Sequence, residues 1–264
     1  MAAKKPQSKS RIKSHTQLPN GKRLGGKVAV VTGGGRGIGY AIAETLAREG
    51  CNVVITGRDA TALKKSAAQI DKSAAAKLTP QHIVPIVCDV RDPKSVASLF
   101  AEVKQRFGTL DILVNNAGIT QPVVSVENTS IELWRDVIET NLTGIFLCTR
   151  AALPLMKAGA TIVNNLSAAA KQVFPNYAAY SAAKRGALGF TLSLREELIP
   201  RGIRVMALVT GATATDMWDQ IMPNAPRDRM IDVNSVAQAV LYAVLLPPNV
   251  NPSEISLDPA GGAL

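Results

Sequence analysis

Histidine and cysteine are scarce in this sequence, which limits the chemistry that it can carry. The 264 residues include two histidines, His15 and His82, and three cysteines, Cys51, Cys88 and Cys148. So few histidines argue against a histidine-centred metal site or catalytic triad. The cysteines are odd in number, far apart and set in apolar segments. This pattern predicts buried free thiols in a reducing compartment, and neither a disulfide framework nor a zinc site.

Long apolar runs are also missing. No apolar run reaches the roughly 18 residues that are needed to span a bilayer, so we expect no transmembrane segment. The N-terminus has no apolar segment followed by a cleavage site, so a secretory signal is not expected either. Hydrophobic residues nevertheless make up 47% of the chain, which is enough to bury a large core. We therefore expect one α/β domain, located in the cytoplasm.

Acidic residues are absent from the N-terminal segment. Residues 1–27 contain eight of the 30 Lys and Arg residues and no Asp or Glu, which leaves 22 basic against 20 acidic residues in the remainder. Because the segment is polar, aperiodic and punctuated by Pro and Gly, residues 1–26 are predicted to be a disordered basic tail. The tail would act as a solubilising extension. The alternative is that it docks nucleic acid or an anionic surface.

From Lys27 onward, short apolar segments alternate with longer segments of helical periodicity. The segments that predict strands are KVAVVT, NVVITG, HIVPIVCDV, DILVNN, ATIVNNL and IRVMALV, with EISLD at 254–258 as a candidate seventh. The predicted helices cover 38–49, 60–76, 93–107, 130–157, 176–199 and 234–246. Strands that are apolar throughout indicate a parallel sheet covered on both faces. The sequence therefore predicts a single Rossmann-type, doubly wound α/β domain over 27–264, with six or seven strands and a substrate loop over 211–232.

The first predicted strand leads directly into a glycine-rich turn, TGGGRGIG. Gly33, Gly37 and Gly39 would let a pyrophosphate approach the backbone at a helix N-terminus. The spacing differs from G-x-G-x-x-G, and glycine-rich turns of this kind also serve as plain connectors. A P-loop is excluded because no Gly-Lys-Ser/Thr follows.

Two arginines favour a phosphorylated ribose in this part of the site. At the end of the second strand, VVITGRD, Gly57 occupies the position where an NAD-selective site usually places an acid. Arg58 follows it, and Arg36 in the glycine turn offers a second guanidinium. Two arginines could clamp a 2′-phosphate, so we expect NADP(H) in preference to NAD(H).

The stretch 167–186 contains two of the four tyrosines, with a lysine close behind. On a helix, Lys184 lies at i+4 from Tyr180 and on the same face, whereas Tyr177 has a serine at that position. A nearby ammonium lowers the pKa of a phenol from its usual value of about 10. We therefore expect Lys184 to lower the pKa of Tyr180, and Ser167 to bring its hydroxyl to the same place. Tyr177 is expected to be a pocket wall or a packing residue.

With these motifs the chain resembles the short-chain dehydrogenase/reductase family, and in particular its 3-oxoacyl-(acyl carrier protein) reductase-like members. The turn TGGGRGIG fits the family's T-G-x3-G-x-G, and NNAG at 115–118 matches its motif after the fourth strand. Asn141 stands where the family places its helix asparagine. Ser167 and Tyr180-x3-Lys184 reproduce the family's Ser and Tyr-x-x-x-Lys at the expected separation.

The resemblance implies a role for each matched residue. Tyr180 would exchange a proton with the carbonyl oxygen, and Ser167 would hydrogen-bond the same oxygen. Lys184 would bind the nicotinamide ribose, and Asn141 would hold a water that links Lys184 to solvent. The implied catalytic residues are thus Asn141, Ser167, Tyr180 and Lys184. The implied cofactor-binding residues are Gly33, Arg36, Gly37, Ile38, Gly39, Arg58, Asp89, Val90, Asn116, Ala117, Gly118, Tyr180, Lys184, Thr213 and Thr215.

The sequence therefore predicts an NADPH-dependent reductase of ketones or aldehydes, with Tyr180 as general acid and no metal. The resemblance implies a homodimer or homotetramer. The same site could oxidise a secondary alcohol with NADP or NAD. An alternative of another class is a dinucleotide-sensing module whose basic tail docks nucleic acid or membrane, but a sensor does not need an acid–base tyrosine. A 3-oxoacyl thioester, a steroid-like ketone, a quinone or a xenobiotic carbonyl would all fit as substrate.

Overall fold

A single parallel sheet forms the centre of the molecule. The computed structural model describes residues 22–74 and 82–262. Within these ranges the sheet has seven strands: β1 Val28–Thr32, β2 Asn52–Gly57, β3 Ile83–Val87, β4 Ile112–Asn115, β5 Thr161–Asn165, β6 Arg204–Thr210 and β7 Glu254–Leu257. Their order across the sheet is β3-β2-β1-β4-β5-β6-β7, and every neighbouring pair is parallel. The predicted doubly wound fold is confirmed, with EISLD contributing the seventh strand.

Helices cover both faces of this sheet. In the described part of the chain they are α1 Gly37–Arg48, α2 Ala60–Ala74, α3 Pro93–Phe107, α4 Ile131–Ile138, α5 Gly144–Ala152, α6 Ala178–Leu198 and α7 Val233–Leu245. Apolar residues of α1, α2 and α7 share one buried cluster with one face of the strands. Residues of α3, α5 and α6 share a second cluster with the other face. Burial on both faces explains why the strands are apolar throughout.

The helix predicted over 130–157 is confirmed as a continuous helical segment, but it is not a uniform α-helix. After α4 the chain makes a π-helical turn, Glu139–Thr143, before α5 begins, and a 3-10 turn, Leu153–Leu155, follows α5. The side chain of Asn141 donates to the backbone oxygen of Val137, 2.9 Å away, and so ties the turn to the end of α4. Wide turns of this kind are often found at functional sites. The helix predicted over 60–76 ends at Ala74 in the described residues, and 75–81 lie outside them.

The segment 22–26 belongs to the folded domain, which corrects the predicted limit of the disordered tail. Leu24 is only 5% exposed and packs in the core with α1. Its backbone N–H donates to the Glu49 oxygen at 2.9 Å, and Arg23 forms a 2.6 Å ion pair with the Glu49 carboxylate. The burial of Leu24, this backbone bond and the ion pair together anchor the segment. Residues 1–21 of the predicted tail lie outside the described residues.

The three cysteines are free and buried, as predicted. Burial raises the pKa of the thiols of Cys51 and Cys148, and also that of Cys88. Thiols with raised pKa values are poor nucleophiles, so these cysteines act as small core residues. Among the described residues, none of the helices combines the length and the apolar character that a membrane crossing requires.

A chain of buried polar side chains links the centre of the sheet to α6. Asn115 and Asn164 are paired in register across β4 and β5, and the Asn115 amide donates to Asn164 Oδ1 at 2.8 Å. The Asn164 amide donates to Thr191 Oγ1 at 2.9 Å, and Thr191 donates to the Ala187 backbone oxygen at 2.6 Å. These bonds fix α6 against the sheet.

Candidate active site

Most of the predicted site residues lie where the carboxyl ends of β1, β4 and β5 meet at one edge of the sheet. The glycine turn follows β1, the segment 116–118 follows β4, and Ser167 lies just beyond β5. The first turns of α6 reach this edge, because the Nζ atom of Lys184 donates to the Asn165 backbone oxygen at 3.2 Å. In doubly wound sheets this edge is where ligands bind.

The glycine turn leaves no room for side chains. Gly33 and Gly37 have positive φ angles of 65° and 53°. A Cβ atom on Gly39 would lie 2.3 Å from the Gly33 backbone oxygen and 2.5 Å from Asn116 Nδ2. A Cβ atom on Gly33 would lie 3.0 Å from Ala117 Cα. The turn therefore exposes bare backbone at the start of α1 and packs directly against the end of β4.

The N-terminus of α1 points its backbone N–H groups at this edge of the sheet. Arg36 is the capping residue, but its side chain makes no capping hydrogen bond, and the first turn has no acidic residue. The N–H groups of Gly37, Ile38 and Gly39 are consequently not capped by Arg36. A helix start of this kind attracts an anion through its N–H groups and dipole.

Thr32 at the end of β1 holds the segment that follows β4. Its Oγ1 accepts the backbone N–H groups of Asn116 and Ala117 at 2.9 and 3.0 Å. The Asn116 side chain donates to the Thr32 backbone oxygen at 2.9 Å and accepts from the side chain of Asn165 at 2.9 Å. The ends of three neighbouring strands are thus joined by side-chain hydrogen bonds, which makes the floor of the site rigid.

Asp89, which was predicted to contact adenine, is held by a neighbouring arginine. The guanidinium of Arg91 donates to both carboxylate oxygens of Asp89, at 2.7 Å for Nη2 and 3.0 Å for Nε. Arg91 also pairs with Asp136 of α4 at 2.9 Å. The hydrogen bond from Arg91 lowers the pKa of the Asp89 carboxyl, burial opposes this, and the charge of Arg58 adds to the lowering. Arg58 and Arg36 are both exposed.

Val90 is mainly a packing residue in this structure. It is 7% exposed, and a Cβ atom on Gly144 at the start of α5 would lie 2.8 Å from Val90 Cγ2. The side chain therefore fixes α5 close to the end of β3. Its predicted contact with adenine stays a prediction.

Ser167, Tyr180 and Lys184 are brought together as the spacing predicted. The Lys184 Nζ atom is 5.6 Å from the centre of the Tyr180 ring, and the Ser167 side chain is near enough to the Tyr180 phenol to lower its pKa. Tyr177 packs edge-on against the Tyr180 ring, with centroids 5.9 Å apart and an interplanar angle of 89°. Tyr180 is half-buried and Lys184 is buried. A hydroxyl, a phenol and an amine therefore share one small volume at the edge of the sheet.

The expected direction of the Tyr180 pKa shift is wrong for this structure. Burial raises the pKa of the phenol, the hydrogen bond from Ser167 partly offsets this, and Tyr177 adds to the rise. Burial also lowers the pKa of Lys184 to about 8. The loss of water around both groups outweighs the predicted effect of the ammonium on the phenol. At neutral pH the phenol consequently carries its proton.

Asn141 lies beside Lys184, but its amide is already bound. Its Oδ1 accepts the backbone N–H of Ile119 at 3.2 Å, and its Nδ2 donates to the Ile119 backbone oxygen at 2.9 Å. A Cβ atom on Gly118 would lie 2.7 Å from Asn141 Oδ1 and 3.8 Å from Lys184 Nζ. The side chain therefore clamps the segment after Gly118 next to the lysine. The predicted relay through a water at Asn141 stays a prediction.

The segment 211–232 folds back over the glycine turn. A Cβ atom on Gly37 would lie 3.4 Å from Thr215 Cγ2, which places Thr215 at the cofactor side of the site. Thr213 is buried, and its backbone oxygen accepts the indole N–H of Trp218 at 3.0 Å. The guanidinium of Arg227 donates to the Thr215 backbone oxygen. The segment is thus held by its own side chains against the site.

Three residues of the site were not predicted from the sequence. Gln121 is fully buried and bonds to the start of α6, Arg91 holds Asp89, and Asn165 joins Asn116 to Lys184. The charge of Arg91 two residues after an acid could have suggested their pairing. Nothing in the local pattern indicates that Gln121 is buried, because the partners that tie its side chain to the start of α6 are about 55 to 59 residues away.

Comparisons with known proteins agree with this geometry. Residues 27–226 match the family described as short chain dehydrogenase. A 3-oxoacyl-[acyl-carrier-protein] reductase of Escherichia coli strain K12 is 36% identical over 227 residues, which cover 82% of this chain and 89% of that protein. A short chain dehydrogenase from Burkholderia cenocepacia J2315, solved in complex with NADP, is 31% identical with a TM-score of 0.80, covering 89% of this chain and 98% of that one.

A third relative is named a dehydrogenase of alcohols and not a reductase. The alcohol dehydrogenase of Thermococcus sibiricus, solved with 5-hydroxy-NADP, is 29% identical with a TM-score of 0.80, covering 89% of this chain and 97% of that one. The family match covers most of the chain, and the matched part contains the glycine turn, the segment after β4 and the Ser–Tyr–Lys group. The chain belongs to the short-chain dehydrogenase family of oxidoreductases.

Proposed function

We propose that the protein is an NADPH-dependent reductase that transfers hydride to the carbonyl of a ketone or aldehyde. The main support for the proposal is that the side chains of Ser167, Tyr180 and Lys184 lie close together at the edge of the sheet that also carries the glycine turn. A proton donor and an anion-binding helix start therefore lie at the same edge of the sheet. The reductase and the NADP complex among its relatives support the same reading.

The residues present fit a phosphorylated dinucleotide. Side chains at Gly33 and Gly39 would collide with the segment after β4 and with the turn itself, so only glycine allows the tight turn whose backbone a pyrophosphate would contact. Arg36 and Arg58 are exposed near the start of α1 and the end of β2, where a 2′-phosphate would lie. The buried Asn165 Oδ1 has no hydrogen-bond partner, which leaves an acceptor on the floor of the site for a ligand hydroxyl.

Each residue of the catalytic group has one task in this proposal. Tyr180 is protonated at neutral pH and donates its proton to the carbonyl oxygen as negative charge develops there. Ser167 donates a hydrogen bond to the same oxygen and stabilises that charge. Lys184 holds its amine beside the phenol and stabilises the phenolate that remains. When bound, NADPH supplies the hydride.

The first experiment tests the catalytic assignment. Carbonyl substrates of different classes, including a 3-oxoacyl thioester, a steroid-like ketone, a quinone and small aryl ketones, are offered with NADPH, and its oxidation is followed by absorbance. Tyr180→Phe is expected to lose at least about 100-fold in kcat, because general acid catalysis contributes about that much. Tyr177→Phe is the matched control and should keep most of the rate. Equal rates in wild type and Tyr180→Phe would refute the assignment.

The second experiment tests the cofactor. Removing both guanidinium groups in Arg36→Ala/Arg58→Ala should lower kcat/KM for NADPH by at least about 100-fold, because the two charge-assisted bonds together contribute about 3 kcal/mol or more. The rate with NADH should change little, since NADH lacks the 2′-phosphate. Arg48→Ala, at the other end of α1, is the control for a lost surface charge. An equal loss with both dinucleotides would exclude a 2′-phosphate clamp.

The same site supports a second candidate, the oxidation of a secondary alcohol. The relative from Thermococcus sibiricus is named an alcohol dehydrogenase, and the hydroxyl, phenol and amine can act in either direction. The reaction would need the phenolate, which the raised pKa of Tyr180 disfavours at neutral pH. Reduction is therefore the favoured direction, and comparing both directions at one pH decides between them.

We also propose that the protein forms a homodimer or homotetramer. Phe146 of α5 and Leu192 of α6 are each 43% exposed, and Phe146 stacks edge-on with Phe190, the centroids being 6.2 Å apart. Apolar side chains on neighbouring helices suit a contact between subunits. Light scattering after size exclusion measures the mass, and Phe146→Glu should yield monomers if this face is used.

A further inference from the structure

Gln121 lies between β4 and α4, outside every motif that the sequence analysis used. Its side chain has no exposed surface, which is rare for a glutamine. A buried amide costs free energy unless its donors and acceptor are bonded. Each end of this amide has a partner in the segment that carries Tyr180, and Nε2 also donates to the adjacent Pro122 backbone oxygen at 3.3 Å.

The amide bonds across the start of α6. Gln121 Oε1 accepts the backbone N–H of Tyr180 at 2.8 Å, and Gln121 Nε2 donates to the backbone oxygen of Asn176 at 3.1 Å. Tyr180 is the third residue of α6, so its N–H group has no partner within the helix. Gln121 thus supplies from a distant loop the capping bond that a helix usually takes from its own first residues.

The start of α6 needs this support. Tyr177, the capping residue, makes no side-chain capping bond. Asn176 just before it has a φ of 64°, the one positive φ outside glycine in the described ranges 22–74 and 82–262. Its backbone oxygen accepts a second bond from the N–H of Val124 at 3.1 Å. A strained turn directly before a reactive side chain persists only when its surroundings hold it.

We propose that Gln121 is a positioning residue, which holds the first turn of α6 so that the Tyr180 phenol stays between Ser167 and the carbonyl to be reduced. The inference rests on the proposed function, since it gives Gln121 an effect on proton donation by Tyr180. The backbone N–H of Tyr180 is the point of contact, so a shift at this bond moves the phenol directly. Gln121 itself touches neither substrate nor cofactor.

The expected effect is on the rate and not on binding. Gln121→Met keeps the length of the side chain and removes both bonds to the start of α6, together with the bond to Pro122. The kcat should fall by about 10- to 100-fold, because displacing a reacting group by about 1 Å costs about that much. The KM for NADPH should stay within about twofold, because the glycine turn is untouched. Amide hydrogen exchange should become faster in a peptide that contains residues 178–184.

Two further variants separate positioning from general loss of stability. Arg204→Met is the matched control: Arg204 is also buried and donates to backbone oxygens of Val244 and Leu246, but it begins β6 at the opposite edge of the sheet. It should lower the midpoint of thermal unfolding and leave kcat of the folded enzyme unchanged. Gln121→Glu can restore both bonds only when protonated, so its kcat relative to wild type should rise as the pH falls.

The outcomes are distinct. A kcat within about twofold of wild type in folded Gln121→Met, or unchanged exchange at 178–184, overturns the proposal. If Gln121→Met does not fold, a flat pH dependence of the ratio of Gln121→Glu to wild type overturns it instead. If wild type and Tyr180→Phe reduce carbonyls equally, the proposed function fails, and the exchange measurement still decides whether Gln121 holds α6.

Discussion

Replacing Lys184 with methionine is expected to stabilise the chain near pH 7 while it removes the amine from the site. Lys184 is 5% exposed, and burial lowers its pKa from 10.5 to about 8. Folding therefore disfavours the charged form. The cost is fully present below about pH 8, where the lysine is charged in both states. It disappears as the pH rises past 10.5, where the lysine is neutral in both states.

The size of the effect follows from the same values. The difference between 10.5 and about 8, at about 1.36 kcal/mol for each pH unit, is a cost of about 3 kcal/mol. Methionine also loses the 3.2 Å hydrogen bond to Asn165 and the contact with the Tyr180 ring, a loss of about 1–2 kcal/mol. Lys184→Met should therefore be more stable than wild type by about 1–2 kcal/mol at pH 7, and the advantage should vanish by about pH 10.

Urea unfolding at about pH 7, 8.5 and 10, without added dinucleotide, measures this difference. Lys157→Met is the matched control, because Lys157 is exposed and its replacement removes a charge that folding does not bury. Its stability relative to wild type gives the effect of removing an exposed charge. A Lys184→Met variant that is less stable than wild type by the same amount at every pH would show that burying this ammonium carries no cost.

Four other changes test separate parts of the structure. Gly39→Ala places a Cβ atom 2.3 Å from a backbone oxygen, so thermal unfolding should show a loss of about 3 kcal/mol or more and dinucleotide binding should fail. Gly189→Ala in α6 meets nothing within 4 Å and should stabilise by up to about 1 kcal/mol; a loss there would contradict the open space. Because the pKa of Tyr180 is raised, the rate of wild-type carbonyl reduction should stay constant from about pH 6 to 7.5, while the rate of alcohol oxidation should rise with pH. A reduction rate that falls in this range would contradict a protonated phenol. Leu24→Ala should lower the urea-derived free energy of unfolding by about 2–5 kcal/mol, since Leu24 is 5% exposed; an unchanged value would place 22–26 outside the core.

The strands and most helices could be predicted because their signals are local. A mostly apolar segment such as β6 is buried along its whole length, so it predicts a strand without any knowledge of which helices pack on it. The interruption at Asn141 could not be predicted, because it depends on one side chain bonding the backbone of Ile119 and Val137. The docking of Leu24 depends likewise on a cavity beside α1 that only the folded chain creates.

The sequence could predict site residues that lie at a fixed spacing on one element. It could not predict residues whose partners lie on other elements of the fold. Tyr180 and Lys184 are four positions apart on one helix, so their proximity follows from helix geometry. The direction of the Tyr180 pKa shift does not, because burial depends on residues from several elements. Gln121 and Arg91 act through partners in other loops and helices, and a linear pattern does not show such partners.

The buried amides of the central strands have a consequence for assembly of the sheet. Asn115 and Asn164 face each other in the native alignment of β4 and β5, while the buried apolar side chains of their neighbours Leu113, Val114, Ile162 and Val163 make no such directional bond. A slip by one position would break the bond between the two amides and leave Asn164 Oδ1 buried without its donor, which costs about 1–3 kcal/mol. Burial of the hydrophobic residues drives the strands together, and the hydrogen bond between the two asparagines makes the native alignment more stable than a shifted one.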